Sequence, residues 1–323
     1  MAKVAASLAA VLLALGHAAC GTDGAEPGAP RSATLVLDFA PNAVHSGIYS
    51  ALRRGDYERA GLRIAVREPA ASTDAPKLLR SGRAQLALLD IHDLGLAAER
   101  GLDVVGVAAI VQRPLAAVLA RRDGPVRRPR DLEGRRAGVT GLPSDDAVLE
   151  SELEADGGDP DLVRRVTIGF NAVSALAAGR VDGATAFWNA EGVALRRRGV
   201  PIREFRVDDY GAPAYPELVM VTSRQLLRED RELVKDAVAA TVRGYEFTLS
   251  DPAASLRDLI ASVPDLDRAE QRAQLDAVLP ILEPAGRLDL AALRAWGRWD
   301  VEHGILKREP DLAALFEPEV LSG

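Results

Sequence analysis

Short apolar runs alternate with longer amphipathic segments along the first two thirds of the chain. The apolar runs predict strands at 34–38, 62–67, 85–89, 103–111 and 115–120, and the segments between them predict helices at 45–59, 73–80 and 91–99. Alternation of this kind is typical of a mostly parallel sheet with helices on both faces.

The same pattern restarts after an Arg-, Pro- and Gly-rich stretch, RRDGPVRRPRDLEG. It predicts strands at 135–139, 164–168, 183–187, 202–206 and 217–222, with helices at 144–155, 171–178 and 190–198. After Ser223 only helices are predicted, at 223–249, 252–262, 266–279, 289–303 and 309–316. We therefore predict two α/β lobes, 34–122 and 123–215, with a return to the first lobe and a helical tail at 216–323.

The first 20 residues have the features of an export signal. Lys3 precedes an apolar stretch at 4–15 that is too short to span a bilayer comfortably, and small residues lead to Cys20. Cys20 is the only cysteine, so no internal disulfide can form, and it stands where lipoproteins carry their lipid. Residues 21–33 are typical of a flexible tether, although His17 stands where an aliphatic residue is usual. We expect a lipid-anchored exported protein, with a cleaved secretory signal as the alternative.

Composition narrows the function classes. The 323 residues are 48% apolar, enough for two domains, and the formal net charge of -7 disfavours nucleic acid as a partner. The sequence has no dinucleotide or P-loop glycine motif, no clustered Cys/His metal site and no nucleophile elbow. We therefore expect no cofactor, no metal and no catalytic residue.

Two segments resemble each other and suggest where a ligand binds. SGRAQLALLD and AGRVDGATAFW each end a helix, turn at Gly-Arg and enter a strand. The ends of these strands carry Asp90 and His92 in the first lobe, and Trp188 and Asn189 in the second. Ligands of open parallel sheets bind at the carboxyl ends of strands, so we expect both ends to face one crevice.

Several stretches resemble a known family: LDFAPNAVHSGIYSALRRGDYERAGLRIAV, LLRSGRAQLALLD, QRPLAAVLA and DLEGRRAGVTGLPSDDAVLE. They look like the type 2 periplasmic binding proteins that deliver thiamine-pyrimidine precursors to ABC transporters. The superfamily also includes nitrate, sulfonate and riboflavin binders and the hydroxymethylpyrimidine phosphate synthases. The resemblance implies a two-lobed α/β fold, each lobe a mostly parallel sheet flanked by helices, with two hinge crossovers. It also implies an aminopyrimidine-like ligand, a permease partner and a monomer.

The opening motif supplies four of the predicted ligand-binding residues. Asp38 either accepts from an amino group of the ligand or caps a turn, and Phe39 either stacks on the ligand or packs in the core. Asn42 shapes the turn or contacts the ligand. His45 lies in the first turn of the following helix, where it donates to the ligand or caps the helix.

The other predicted ligand-binding residues lie at later strand ends. Each has a structural alternative as a helix cap or core residue. Trp188 is expected to stack opposite Phe39 when the lobes close. Asn189 can pair with donor and acceptor edges of a heterocycle. The complete set adds Asp90, His92, Gly141, Ser144, Glu191 and Tyr215. The acidic pair after Ser144 disfavours a strongly anionic ligand.

An enzyme of this family is the least favoured alternative. In the pyrimidine synthases, as the resemblance implies, the histidine matching His92 is a substrate and a nearby lysine holds pyridoxal phosphate. Here the residue four before His92 is Leu88, and the chain has only four lysines, none near these strand ends. Leucine cannot form a Schiff base. A nitrate-, sulfonate- or riboflavin-type binder of the same fold remains the main alternative.

Overall fold

The computed structural model describes residues 30–70 and 74–321. The predicted signal peptide, Cys20 and residues 21–29 of the predicted tether therefore lie outside the described residues. Ten strands form two five-stranded sheets within the described part of the chain. Each sheet is mostly parallel with antiparallel pairing at one strand, as the alternation of strands and helices predicts.

The first sheet forms the centre of lobe 1 in the order β2-β1-β3-β10-β4. β1 runs parallel to β2 and β3, whereas β10 runs antiparallel to β3 and β4. Its strands are β1 (Arg31–Val36), β2 (Leu62–Arg67), β3 (Leu86–Asp90), β4 (Val104–Ala109) and β10 (Leu218–Ser223).

The second sheet forms lobe 2 in the order β7-β6-β8-β5-β9. β6 runs parallel to β7 and β8, and β5 runs antiparallel to β8 and β9. Its strands are β5 (Ala116–Arg121), β6 (Arg136–Val139), β7 (Arg164–Thr167), β8 (Gly183–Phe187) and β9 (Ile202–Arg206).

The predicted domain boundaries need two corrections. The boundary at 122 assigns β5 to lobe 1, but β5 pairs with β8 and β9 in the sheet of lobe 2. The apolar runs at 103–111 and 115–120 are neighbours in the sequence, as the two strands of a hairpin are. β5 nevertheless pairs with strands that lie far along the chain. The predicted tether also extends too far, because β1 begins at Arg31, whose guanidinium pairs with Asp230 and Asp236. The lobes are joined by crossovers at 110–115 and 207–217.

Thirteen α-helices surround the sheets in the described residues. Lobe 1 begins with α1 (Ser46–Arg53), α2 (Asp56–Arg59), α3 (Asp74–Arg80) and α4 (Ile91–Glu99), and lobe 2 contains α5 (Pro143–Ala155), α6 (Ala172–Ala177) and α7 (Glu191–Arg197). The C-terminal region adds α8 (Arg224–Glu229), α9 (Arg231–Ser250), α10 (Pro252–Ser262), α11 (Arg268–Val278), α12 (Leu290–Glu302) and α13 (Leu312–Leu315).

Two predicted long helices are each divided in the structure. The helix expected at 45–59 is interrupted at Gly55, whose φ of 72° is left-handed and favours glycine. The helix expected at 223–249 is interrupted at Asp230, whose side chain accepts from the backbone N–H of Leu233 and so begins α9. In both places a local backbone feature interrupts a continuous amphipathic pattern.

The C-terminal helices pack mainly on lobe 1, where α9 lies along α1. Trp296 and Trp299 of α12 are buried in the core, as their spacing on an amphipathic helix predicts. α11 also contacts α7 of lobe 2, so the tail reaches across to the second lobe. Among the described residues, no helix combines the length and apolar character needed to cross a membrane.

Candidate ligand-binding cleft

A cleft between the lobes, bordered by the carboxyl ends of β3, β6 and β8, has a volume of about 1090 Å³, including the part open to solvent. This is the location that the fold predicts for a ligand. Its polar and aromatic lining consists of Asp38, Phe39, Asn42, Asp90, Asp93, Thr140, Ser144, Asp145, Phe170, Thr185, Phe187, Asn189 and Glu191.

The two lobes touch across this cleft. The ring of Phe39 from lobe 1 meets Phe170 from lobe 2 edge to face, with 4.6 Å between centroids and 82° between planes. The hydroxyl of Ser144 in lobe 2 donates to Asp93 Oδ1 in lobe 1 at 3.0 Å. The structure is therefore a closed arrangement of the lobes. Neither Phe170 nor Asp93 was predicted from the sequence.

Asp38 is held in place by His45. His45 Nδ1 accepts from the backbone N–H of Asn42 at 3.1 Å, so the ring proton lies on Nε2 and is donated to Asp38 Oδ1 at 2.9 Å. The Asn42 side chain accepts in turn from the backbone N–H of Val44, which completes a capping box. His45 is fully buried and does not line the cleft, so it orients Asp38 without facing the ligand.

Carboxylates dominate the charge of the cleft. Asp38, Asp90, Asp93, Asp145 and Glu191 all line it. None of the lining residues in the described chain is a lysine, arginine or histidine. Burial raises the pKa of Asp93 to about 6, even though the Ser144 hydroxyl opposes the shift. An environment of this kind attracts N–H donors and cations and repels anions.

Glu191 and Asn189 come from the turn after β8 and present further hydrogen-bonding groups. Burial raises the pKa of Glu191 to about 7, and the carboxylates of Asp145 and Asp38 add to the shift. One Glu191 oxygen accepts from the backbone N–H of Phe187 at 3.2 Å. Asn189 is fully buried, and both its side-chain oxygen and nitrogen lack a partner among the described residues. A buried amide with both atoms free is suited to a polar ligand edge.

Seven of the twelve predicted ligand-binding residues line the cleft, and five do not. Those that line it are Asp38, Phe39, Asn42, Asp90, Ser144, Asn189 and Glu191. His45 lies behind Asp38, as described. Gly141 forms the turn before α5 with a φ of 94°, and only its neighbours reach the cleft. His92, Trp188 and Tyr215 lie outside the lining.

The predicted stacking of Trp188 on Phe39 is wrong. Trp188 is buried at the hinge, where its indole N–H donates to the Pro114 carbonyl at 3.1 Å and the Arg206 guanidinium lies 3.9 Å from a ring centroid. Phe170 takes the position opposite Phe39 instead. An aromatic residue one position beyond a strand end can face either side of the sheet, and the sequence gives no register for that turn.

His92 and Tyr215 belong to a buried cluster behind the cleft. Their rings meet edge to face at 4.8 Å. Burial lowers the pKa of His92, but the carboxylates of Asp300 and Asp90 overcome this and raise it to about 9. Burial also raises the pKa of Asp90, and the neighbouring Glu217 carboxyl raises it further. Glu217 was not predicted from the sequence, since it precedes β10 and is distant from the other residues along the chain.

The cleft therefore offers one edge-to-face aromatic pair, several carboxyl groups and one amide without a partner in the described residues. A flat, nitrogen-rich ring can pack against this aromatic pair, and carboxyl groups of the lining can accept from its N–H groups. Leu88, four residues before His92, lines the same cleft.

Comparisons with known proteins agree with this geometry. The model of the NMT1/THI5-like family matches residues 42–255. The chain is 32% identical to formylaminopyrimidine-binding protein of Halalkalibacterium halodurans over 262 residues, covering 80% of this chain and 78% of that protein. It is 23% identical to 4-amino-5-hydroxymethyl-2-methylpyrimidine phosphate synthase of Legionella pneumophila, covering 72% of this chain and 74% of that enzyme.

The fold is shared with solved binding proteins. The alkanesulfonate-binding protein SsuA from Xanthomonas axonopodis pv. citri, bound to MOPS, matches with a TM-score of 0.72 and 20% identity, over 91% of this chain and 100% of that one. This confirms the two-lobed periplasmic binding protein fold expected from the sequence.

Proposed function

The chain belongs to the NMT1/THI5-like family, and from this premise we propose that it is the extracytoplasmic solute-binding protein of an ABC importer for an aminopyrimidine precursor of thiamine. A ligand of the formylaminopyrimidine class, as named for the Halalkalibacterium halodurans relative, is the first candidate. Ligand binding would hold the lobes in the closed form that the permease recognises.

The lining of the cleft is the observation that carries this proposal. Phe39 and Phe170 meet edge to face, and the cleft they border is lined by carboxyl groups without a cationic side chain in the described lining. An aminopyrimidine presents a flat ring, an exocyclic amino group and ring nitrogens, which match stacking surfaces, carboxylates and an amide.

The same lining distinguishes this ligand class from the oxyanions. A sulfonate, nitrate or phosphate ester requires convergent Arg, Lys or backbone donors. In this cleft it would face Asp38 and Asp93 instead. Juxtaposed like charges cost several kcal/mol. The similarity to a sulfonate-binding protein is therefore a similarity of fold, and the residues that line the cleft favour a different ligand.

Binding without turnover is favoured over pyrimidine synthesis. The relatives include named pyrimidine phosphate synthases, so the family contains both classes. Leu88 occupies the cleft where an amine would be required to hold pyridoxal phosphate, and no lysine is among the described lining residues. Schiff-base chemistry needs a primary amine that this site does not supply.

A calorimetric titration of the ligand-free protein tests the proposal. The panel is formylaminopyrimidine, the hydroxymethyl aminopyrimidine, its phosphate ester, riboflavin, taurine and nitrate. We expect the two uncharged aminopyrimidines to bind, and the phosphate ester to bind at least 100-fold more weakly because of charge repulsion. Preferential binding of taurine or nitrate would overturn the proposed ligand class while leaving the transport fold intact.

The proposed location is the outer face of the cell membrane, through a lipid on Cys20. This rests on the sequence pattern, since Cys20 lies outside the described residues. Membrane fractionation of cells that produce the protein tests it. We expect the wild type in the membrane fraction and Cys20→Ser in the soluble exported fraction; an unchanged distribution would overturn lipid anchoring.

A further inference from the structure

Three side chains converge behind the cleft, where the two lobes are joined. Asp90 ends β3, His92 lies in the first turn of α4, and Glu217 immediately precedes β10. Each offers a ligand atom, and these atoms lie within 4.8 Å of one another. His92 and Glu217 are fully buried, while Asp90 also lines the cleft.

Two of the buried atoms in this cluster have no partner. His92 Nε2 and Glu217 Oε1 make no hydrogen bond in the described part of the chain. The other ring nitrogen of His92 and the other carboxyl oxygen of Glu217 do have hydrogen-bond partners. His92 Nδ1 lies 2.7 Å from Asp300 Oδ1, and Glu217 Oε2 accepts from the backbone N–H groups of Leu115 and Ala116. A bound ion would give both of these buried polar atoms a partner.

The charge of the cluster points in the same direction. Asp90, Glu217 and Asp300 are three carboxyl groups close to the imidazole of His92, and no arginine or lysine pairs with any of them among the described residues. Buried carboxyl groups are stabilised when they coordinate a metal ion, and the imidazole beside them supplies a further ligand atom.

From this geometry we propose that Asp90, His92 and Glu217 bind a divalent transition-metal ion. One imidazole and two carboxylates suit Zn²⁺ and neighbouring metals, which favour nitrogen and oxygen ligands. Asp300 on His92 Nδ1 is the carboxylate that commonly orients a metal-bound histidine. Tetrahedral ligands at about 2.1 Å from Zn²⁺ lie roughly 3.4 Å apart, so donor atoms that are now up to 4.8 Å apart must approach one another to share one ion. Asp90 also lines the cleft.

The site lies where lobe 1 meets the two crossovers to lobe 2. Glu217 also bonds to the backbone at 115 and 116, where the chain enters β5 of lobe 2. An ion bound to Glu217 and Asp90 would tie the first crossover to the end of β3. The ligands are far apart along the chain, which explains why the sequence gives no metal motif.

Zinc titration of the untagged full chain, stripped with a chelator and without any pyrimidine, tests the proposal. Calorimetry and elemental analysis should give one Zn²⁺ per chain and a higher Tm. Co²⁺ should give a visible absorption spectrum typical of mixed nitrogen and oxygen ligands. His92→Gln and Glu217→Gln should each lose the stoichiometric ion. Asp300→Asn should weaken affinity by about 10- to 100-fold.

His45→Gln is the matched control. His45 is also buried beside an aspartate, but both of its ring nitrogens are occupied, so this variant should bind the ion as the wild type does. Absence of stoichiometric Zn²⁺ and Co²⁺ binding by the wild type would overturn the proposal. The proposal would also be overturned if His92→Gln and Glu217→Gln bound Zn²⁺ as tightly as the wild type does. Because no pyrimidine is present, neither outcome depends on the proposed transport function.

Discussion

At the scale of single residues, the cleft depends on how Asp38 is oriented. His45 donates to one of its oxygens, which leaves the carboxylate fixed at the mouth of the turn after β1. The Asp–His pair thus provides an acceptor that is already positioned before a ligand arrives, and preorganisation of this kind lowers the entropic cost of binding.

Asp38→Asn should weaken aminopyrimidine binding by about 10- to 100-fold, because a hydrogen bond to a charged group contributes about 1.5–3 kcal/mol. The apo Tm should change little, since the amide oxygen can still accept from His45. Calorimetry and thermal unfolding measure the two effects. Asp161→Asn, at an exposed position before β7, is the control. A large fall in the apo Tm would instead identify Asp38 as a structural cap.

The raised pKa of Glu191 predicts how the free energy of unfolding depends on pH. Its pKa is raised from 4.5 to about 7, chiefly by burial, so the folded state holds a proton that the unfolded state has lost in this range. Unfolding free energy contributed by this group therefore falls as pH rises from about 4.5 to 7. Glu191→Gln should remove that slope and stabilise the apo protein at pH 8 by roughly 1–3 kcal/mol.

Urea unfolding of wild type and Glu191→Gln at pH 5 and pH 8 measures the difference. Glu246→Gln, on an exposed position of α9, controls for loss of a surface charge. Parallel pH profiles of wild type and Glu191→Gln would contradict the raised pKa.

The sequence located most polar residues of the cleft but not their partners. Asp38, Asp90 and Asn189 were found because strand ends meet at one edge of a sheet. Phe170 was missed because the turn after β7 carries no strand-end motif. Glu217 was missed because its role depends on an antiparallel return strand, which only long-range pairing reveals.

At the scale of elements, the packing of α1 on α9 holds the tail against lobe 1. The helices approach closely because Gly47 and Gly244 face each other. A Cβ added at Gly244 would lie 2.0 Å from the Gly47 carbonyl oxygen, and one added at Gly47 would lie 2.4 Å from the Tyr245 ring. Backbone atoms cannot give way as the end of a flexible side chain can.

Gly244→Ala should therefore destabilise the protein by about 3 kcal/mol, at the upper end of the usual cost of overpacking. Alanine favours a helix by about 1 kcal/mol over glycine, and the clash with the Gly47 carbonyl outweighs this gain. Urea unfolding measures the change. Glu246→Ala on the exposed face of the same helix should stay within about 0.5 kcal/mol of wild type. A stabilised Gly244→Ala would show that the helices separate freely.

The positions of the helices and strands can be predicted from the sequence, whereas the pairing of the strands cannot. Apolar runs and amphipathic segments gave the ten strands and the helical tail, because periodicity reports which face is buried. The assignment of β5 to the first lobe failed, since periodicity carries no information about pairing partners. Helix interruptions at Gly55 and Asp230 depend on single backbone positions within continuous patterns.

At the scale of the whole molecule, closure is the property on which transport would depend. Phe39 with Phe170 and Asp93 with Ser144 are contacts between lobes, directly beside the cleft. The same aromatic pair would pack against a bound ring, so ligand and lobes stabilise one another. A ligand shifts the lobes toward closure only to the extent that it binds the closed form more tightly.

Phe170→Ala should show how much of the ligand affinity and of the lobe closure depends on the Phe39–Phe170 contact. An edge-to-face pair contributes about 0.5–1.5 kcal/mol beyond burial, so ligand affinity should fall about 2- to 10-fold, and more if the ring also stacks on the ligand. In small-angle scattering, saturating ligand should reduce the radius of gyration of the wild type, whereas the variant should need more ligand for the same change. Phe247→Ala, on α9 beneath Arg54 and away from the cleft, should behave as wild type. If Phe170→Ala kept full affinity and closed at the same ligand concentration, closure would depend on the carboxylates and the hinge alone.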